Sequence, residues 1–170
     1  MLERTAYRSL LGTPDEAMIL WQIRRRAANQ LLTLPARHRL MRELLNARRQ
    51  HALSVPEINH LSREAWLHFF GDSADGFDQY VWASKPHFYR PHVFFYDWQY
   101  TFGYLVSQML ARMFEHDGAT KAGADLRGFC LDAARCDCKT LLRKHLGADI
   151  TSDAFWDDAV CEALSYACRV

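Results

Sequence analysis

Two tetrapeptides constrain what this chain can fold into. Thr13-Pro14-Asp15-Glu16 and Ser54-Val55-Pro56-Glu57 each place a hydroxyl three residues ahead of a glutamate, with proline between them. At a helix start the hydroxyl and the glutamate can each satisfy a backbone N–H that the first turn leaves free, and proline there has no N–H to lose. The first opens a helix predicted over Ala17–Leu32, with apolar Met18, Leu20, Trp21 and Ile23. The second precedes Ile58, Leu61, Ala65, Trp66 and Phe69, an apolar stripe of helical spacing. Leu40–Gln50 reads as a further helix, and Gly71–Gly76 as a loop by composition. Val93–Phe114 has the length and apolar density of a buried helix. Gly118, Gly123 and Gly128 punctuate the next stretch, Leu131–His145 reads as a short helix ended by Gly147, and Thr151 or Ser152 caps a last helix to about Cys168. No segment sustains a period-two alternation of β-branched residues, so the expected class is all-α.

Composition adds bounds. With 49% apolar and 13% aromatic residues, the 170-residue chain can build a core, and with no repeat or low-complexity linker residues 1–170 are expected to form a single helical domain. The net charge of +1 conceals a split. Residues 1–50 hold ten Arg against the four acids Glu3, Asp15, Glu16 and Glu43, whereas the remainder holds eleven Lys or Arg against sixteen acids. No apolar run approaches the ~20 residues a spanning helix needs, and the start Met1-Leu-Glu-Arg-Thr has no apolar signal core, so a membrane or export reading is not expected. The cysteines Cys130, Cys136, Cys138, Cys161 and Cys168 lack zinc-finger spacing and are expected as reduced, small buried hydrophobes of a cytoplasmic protein.

Three constellations bear on chemistry. The densest runs from Trp82 to Tyr104 and holds His87, His92, Tyr89, Tyr96, Tyr100, Tyr104, Trp82, Trp98 and Asp97. On a helix Tyr96 and Tyr100 share a face, so their hydroxyls can point into one cavity and donate to an oxygen that becomes negative in a transition state. The plainer alternative makes these aromatics core, with hydroxyls satisfied at its boundary. His60, Glu64 and His68 recur every four residues and are ordinary zinc ligands in type, although the opposite apolar stripe turns their face to water. Finally, Arg24, Arg25, Arg26, Arg37, Arg39, Arg42, Arg48 and Arg49 would suit a phosphate backbone, but they are distributed around helices and form no single stripe.

The segment Trp82-Ala-Ser-Lys-Pro-His-Phe-Tyr89, followed by Phe95-Tyr96-Asp-Trp-Gln-Tyr-Thr-Phe-Gly-Tyr104-Leu105, resembles the C-terminal catalytic region of oligoendopeptidase F, a relative of thimet oligopeptidase and neurolysin. The tail Lys144-His-Leu-Gly-Ala-Asp-Ile-Thr-Ser-Asp-Ala-Phe-Trp156 is similar to that family's closing segment, and the likeness extends back through Ile23–Gly71. The resemblance implies an all-α, multi-helix orthogonal array, the C-terminal half of a cytoplasmic zinc metallopeptidase domain that hydrolyses short peptides. It further implies that His87, Tyr96 and Tyr100 serve catalysis by stabilising the tetrahedral oxyanion, that Tyr89 and His92 bind substrate, and that Glu3 stands near the third zinc ligand. The family's other ligands and its general base lie in an H-E-x-x-H helix. None of the eight histidines here begins such a motif. The expectation is therefore a truncated, substrate-side half that holds no stable zinc and is inactive alone. It would become active only with a chain that supplies the motif, and would be prone to self-association through surface left uncovered. A helical peptide- or protein-binding module and an arginine-rich nucleic-acid binder are the alternatives.

Overall fold

The computed structural model describes residues 2–90 and 95–169. Among them there is no strand, and eight α-helices account for most of the chain: α1 Leu2–Leu10, α2 Glu16–Ala28, α3 Leu34–Arg48, α4 Val55–Phe70, α5 Trp98–Asp117, α6 Ala119–Asp132, α7 Cys138–Leu146 and α8 Asp153–Arg169. Their contacts gather into two compact units. One comprises the chain up to Ala27 and from Gly103 onward, the other Ala28–Phe102.

In the second unit α3 packs against α4, and the turn Asn29–Thr33 packs against both. The predicted capping box at Ser54 forms: Glu57 accepts from the Ser54 backbone N–H at 2.8 Å and from its hydroxyl at 2.6 Å. These bonds hold the Glu57 carboxyl down at about 2, because each favours the ionised form. The Thr13 box does not form. The Thr13 hydroxyl turns back to the Leu10 carbonyl and Glu16 accepts from Gly12 N–H, although α2 starts at Glu16, one residue ahead of the predicted Ala17. That helix also stops at Ala28, short of Leu32, and Asn29–Thr33 widens into a π-helical turn leading directly into α3. Pro35 explains the widening, since its ring cannot donate to the preceding turn and crowds the carbonyl there. One freed carbonyl, that of Gln30, accepts from Thr101 Oγ1 at 2.7 Å. At the far end of α4, Trp66 stacks on Phe70 at 4.1 Å and meets Phe77, which brings the Gly71–Gly76 loop back over the helix.

The first unit is held by small residues and by charge. Ala159, Ala163 and Ala167 recur every four residues along α8 and are buried, as is Ile23 of α2. Helix α1, which periodicity alone did not single out, buries Arg4. Its guanidinium donates to Glu115, Gln108 and Glu162 at 3.0, 2.8 and 3.0 Å and lies 4.3 Å over the Tyr166 ring. Two expectations for the glycines are corrected. Gly123 and Gly128 lie inside α6, and a Cβ on Gly128 would press on the His145 ring at 3.3 Å, so glycine there serves helix packing. The helix predicted over Leu131–His145 is split, with α6 ending at Asp132 and α7 beginning after Asp137, whose carboxylate accepts from Thr140 N–H. Gly147 does close α7: its φ of +63° lets Gly147 N–H reach Arg143 and Ala148 N–H reach Leu142. The cysteines are corrected as well, since Cys130, Cys138, Cys161 and Cys168 are exposed and Cys136 is half-buried, all with free thiols.

Candidate functional site

The second unit contains a cavity of about 420 Å³ walled by Met41, Leu44, Leu45 and Ile58 and by the rings of Trp82, His87, Phe88 and Tyr89, with Arg48 and Arg90 completing the lining. Helix periodicity supplies one wall, because Met41, Leu44, Leu45 and Arg48 fall on one side of α3 at spacings of three and four. Trp82 is held in place from α4, where Asn59 Oδ1 accepts its indole N–H at 2.8 Å. Pro86–Phe88 forms a single 3₁₀ turn that presents His87 and Phe88.

His87 joins this cavity to the tyrosines. Its ring stacks on Tyr96 with centroids 5.1 Å apart and planes 16° from parallel, and Tyr100 meets Tyr96 edge-on at 5.4 Å. The Tyr100 hydroxyl donates to the Tyr96 hydroxyl at 2.9 Å. Ionising Tyr100 would forfeit that bond, so its pKa is raised, with desolvation and the nearby Asp97 charge acting in the same sense. Two phenols bring two protons and their mutual bond uses one. The Tyr96 proton is therefore left for a ligand oxygen, on a hydroxyl already polarised by its neighbour. His87 Nδ1 is shielded from water and has no partner, which makes Nε2 the ring nitrogen able to meet a ligand. Beneath this cluster, Phe95 adopts a φ of +53°, its N–H directed at the Met41 sulfur at 3.3 Å and its ring against His38 at 5.1 Å. His38 is pulled below its ordinary pKa, first by burial and then by Arg42, against an opposing pull from Asp97.

The sequence-predicted residues distribute unevenly. His87, Tyr96 and Tyr100 are brought together, and Tyr89 lines the adjoining cavity with more than half of its surface exposed. His92 lies outside the described residues. Glu3 belongs to the other unit, where its carboxylate pairs with Arg26 at 2.8 Å. Among the described residues no three His, Cys, Asp or Glu groups converge as metal ligands. His60, Glu64 and His68 are all exposed, with His60 alone lining a separate groove along α4. The arginines are dispersed, Arg26 pairing with Glu3, Arg42 with Glu43 and Arg25 lying over Trp21.

Sequence reasoning missed Met41, Leu44, Leu45, Arg48 and Arg90 as parts of the site. The signal was present in α3, where three apolar residues and one arginine share a face, but the arginine had been grouped by charge and not by face. No helix among the described residues is long and apolar enough to cross a membrane. No protein-family model, curated protein or solved structure matches this chain.

Proposed function

We propose that this chain binds short peptides through the aromatic cluster of its second unit, as the substrate side of an oligopeptidase-like site, and that it does not hydrolyse them unaided. The observation that carries this reading is the Tyr100–Tyr96–His87 arrangement beside an apolar cavity. A peptide presents carbonyl oxygens to an available phenol proton and apolar side chains to a cavity of this size. The resemblance to the oligoendopeptidase F region assigns the same cluster to substrate. The zinc of that family would require ligands beyond those this chain brings together, so no hydrolytic step is assigned to it here.

Calorimetric titration with short apolar peptides tests the binding. Tyr96→Phe removes the available proton and should weaken peptide affinity by roughly 3- to 10-fold, the worth of one neutral hydrogen bond. Unchanged affinity would remove Tyr96 from the site. The oligopeptidase relationship is tested by adding zinc and a separate chain that carries H-E-x-x-H. Cleavage of a quenched peptide, slowed ~10²-fold by Tyr96→Phe, would support it. Peptide binding with no cleavage under complementation would favour the helical binding module, a reading also consistent with an intact two-tyrosine pair that needs no metal to hold its geometry.

A further inference from the structure

Resting on the peptide-binding reading, we propose that the cavity takes the C-terminal residue of a peptide, its apolar side chain inside and its free carboxylate between Arg48 and Arg90. Three features of the cavity point to this occupant. First, both arginines in the lining are exposed, and neither is paired with a carboxylate among the described residues. Second, none of the described lining residues is acidic, so these two cations face a wall that is otherwise aliphatic or aromatic and cannot neutralise them. By contrast, Arg4, Arg8 and Arg112 of the other unit each engage Glu or Asp at 3.0 Å or less.

An anion beside apolar surface is the complement of such a site, and guanidinium groups bind carboxylate in a bidentate, charge-assisted manner. Third, the neutral polar groups at the site suit a peptide better than a simple fatty or aryl acid. His87 Nε2 and the Tyr96 proton can serve a backbone amide that precedes the terminal carboxylate, whereas a simple acid has no such amide to offer. The volume of about 420 Å³ lies in the range that encloses a small ligand and exceeds the needs of a carboxylate alone.

The test compares N-acetyl-Ala-Leu-Phe as free acid with its C-terminal amide and with octanoate, by isothermal titration on the full chain. The free acid should bind at least 10-fold more tightly than the amide. Arg48→Gln and Arg90→Gln should each shrink that preference 5-fold or more, with circular dichroism confirming an unchanged helix content. Equal binding of acid and amide would overturn the carboxylate assignment while leaving peptide binding intact. An arginine variant that weakens acid and amide alike would overturn it too. Octanoate displacing the peptide at equal concentration would show that a free apolar acid is the occupant. Binding of neither peptide form would instead count against the peptide reading itself.

Discussion

Two clusters, one in each unit, handle tyrosines and arginines in opposite ways. In the first, Arg4 is 6% exposed and its guanidinium is engaged by Glu115, Gln108 and Glu162 while covering Tyr166. Tyr104 and Tyr166 are pushed up to about 12, mainly by burial, with Glu3 adding to both. In the second, Tyr100 donates to Tyr96 and leaves Tyr96 its own proton, and Arg48 and Arg90 line a cavity with no acid among its described lining residues. Buried charge completed by the chain's own partners serves structure, because a ligand there would have to displace bonds already made. Polar groups left with capacity beside apolar walls can serve recognition. Under the proposed peptide-binding reading, the first arrangement serves cohesion and the second serves binding.

The sharpest way to break that assignment is Arg4→Met. It should destabilise the fold by about 3 kcal/mol, at the lower end of the cost of breaking a buried ion pair because Glu115 keeps Arg8 and partial solvent contact. Peptide affinity should be unchanged. Urea denaturation reads the first and calorimetry the second; a loss below about 1 kcal/mol would show that the network is not structural. An alkaline titration sharpens the same point. A group whose folded pKa is raised adds stability below its unfolded value, here 10, and loses it as pH climbs towards the folded value near 12. Stability should therefore fall between pH 10 and 12, and Tyr104→Phe should flatten that fall. An unaltered slope in the variant would mean that Tyr104 ionises equally in both states.

Much of this contrast was invisible in the sequence for reasons of distance. Ser54 and Glu57 are three residues apart, so the cap that starts α4 could be read directly. The failed twin at Thr13 shows the limit of a local motif: Leu10 and Gly12, just upstream, offered competing partners. Arg4 lies 111 and 158 positions from Glu115 and Glu162, and no spacing rule links residues that far apart. Tyr96 and Tyr100 meet as their four-residue spacing suggested, although α5 starts at Trp98, so Tyr96 lies in the turn ahead of it, and the predicted start at Val93 lies outside the described residues. Gly123 and Gly128 misled because composition treats glycine as a breaker, whereas both sit inside α6, Gly128 where the His145 ring needs the room and Gly123 with open space around it.

A smaller effect probes the cavity wall. Leu45 is 37% exposed, so Leu45→Ala forfeits only part of its buried area and should cost about 1 kcal/mol or less. Peptide affinity should nevertheless fall several-fold, since the same side chain lines the cavity. If stability and affinity fall together by amounts typical of a core deletion, roughly 2–5 kcal/mol, the wall is core and the functional division between the units fails.

The smallest expected effect separates charge from geometry at the capping box that forms. Glutamine at position 57 can still accept from the Ser54 N–H, so Glu57→Gln keeps the cap while removing its charge. The carboxyl is lowered from 4.5 to about 2 in the folded chain, so its contribution is present above pH 4.5 and disappears as pH falls to 2. The variant should be slightly less stable than the parent at pH 7 and should converge with it near pH 2. Aspartates of the first unit, Asp132 beside Lys144 and Asp158 beside Arg112, are also lowered and keep an acid limb in both proteins. What changes is thus the gap between two curves, not the presence of a limb. A gap that stays constant from pH 7 to pH 2 would mean that the Ser54 bonds stabilise α4 through geometry alone.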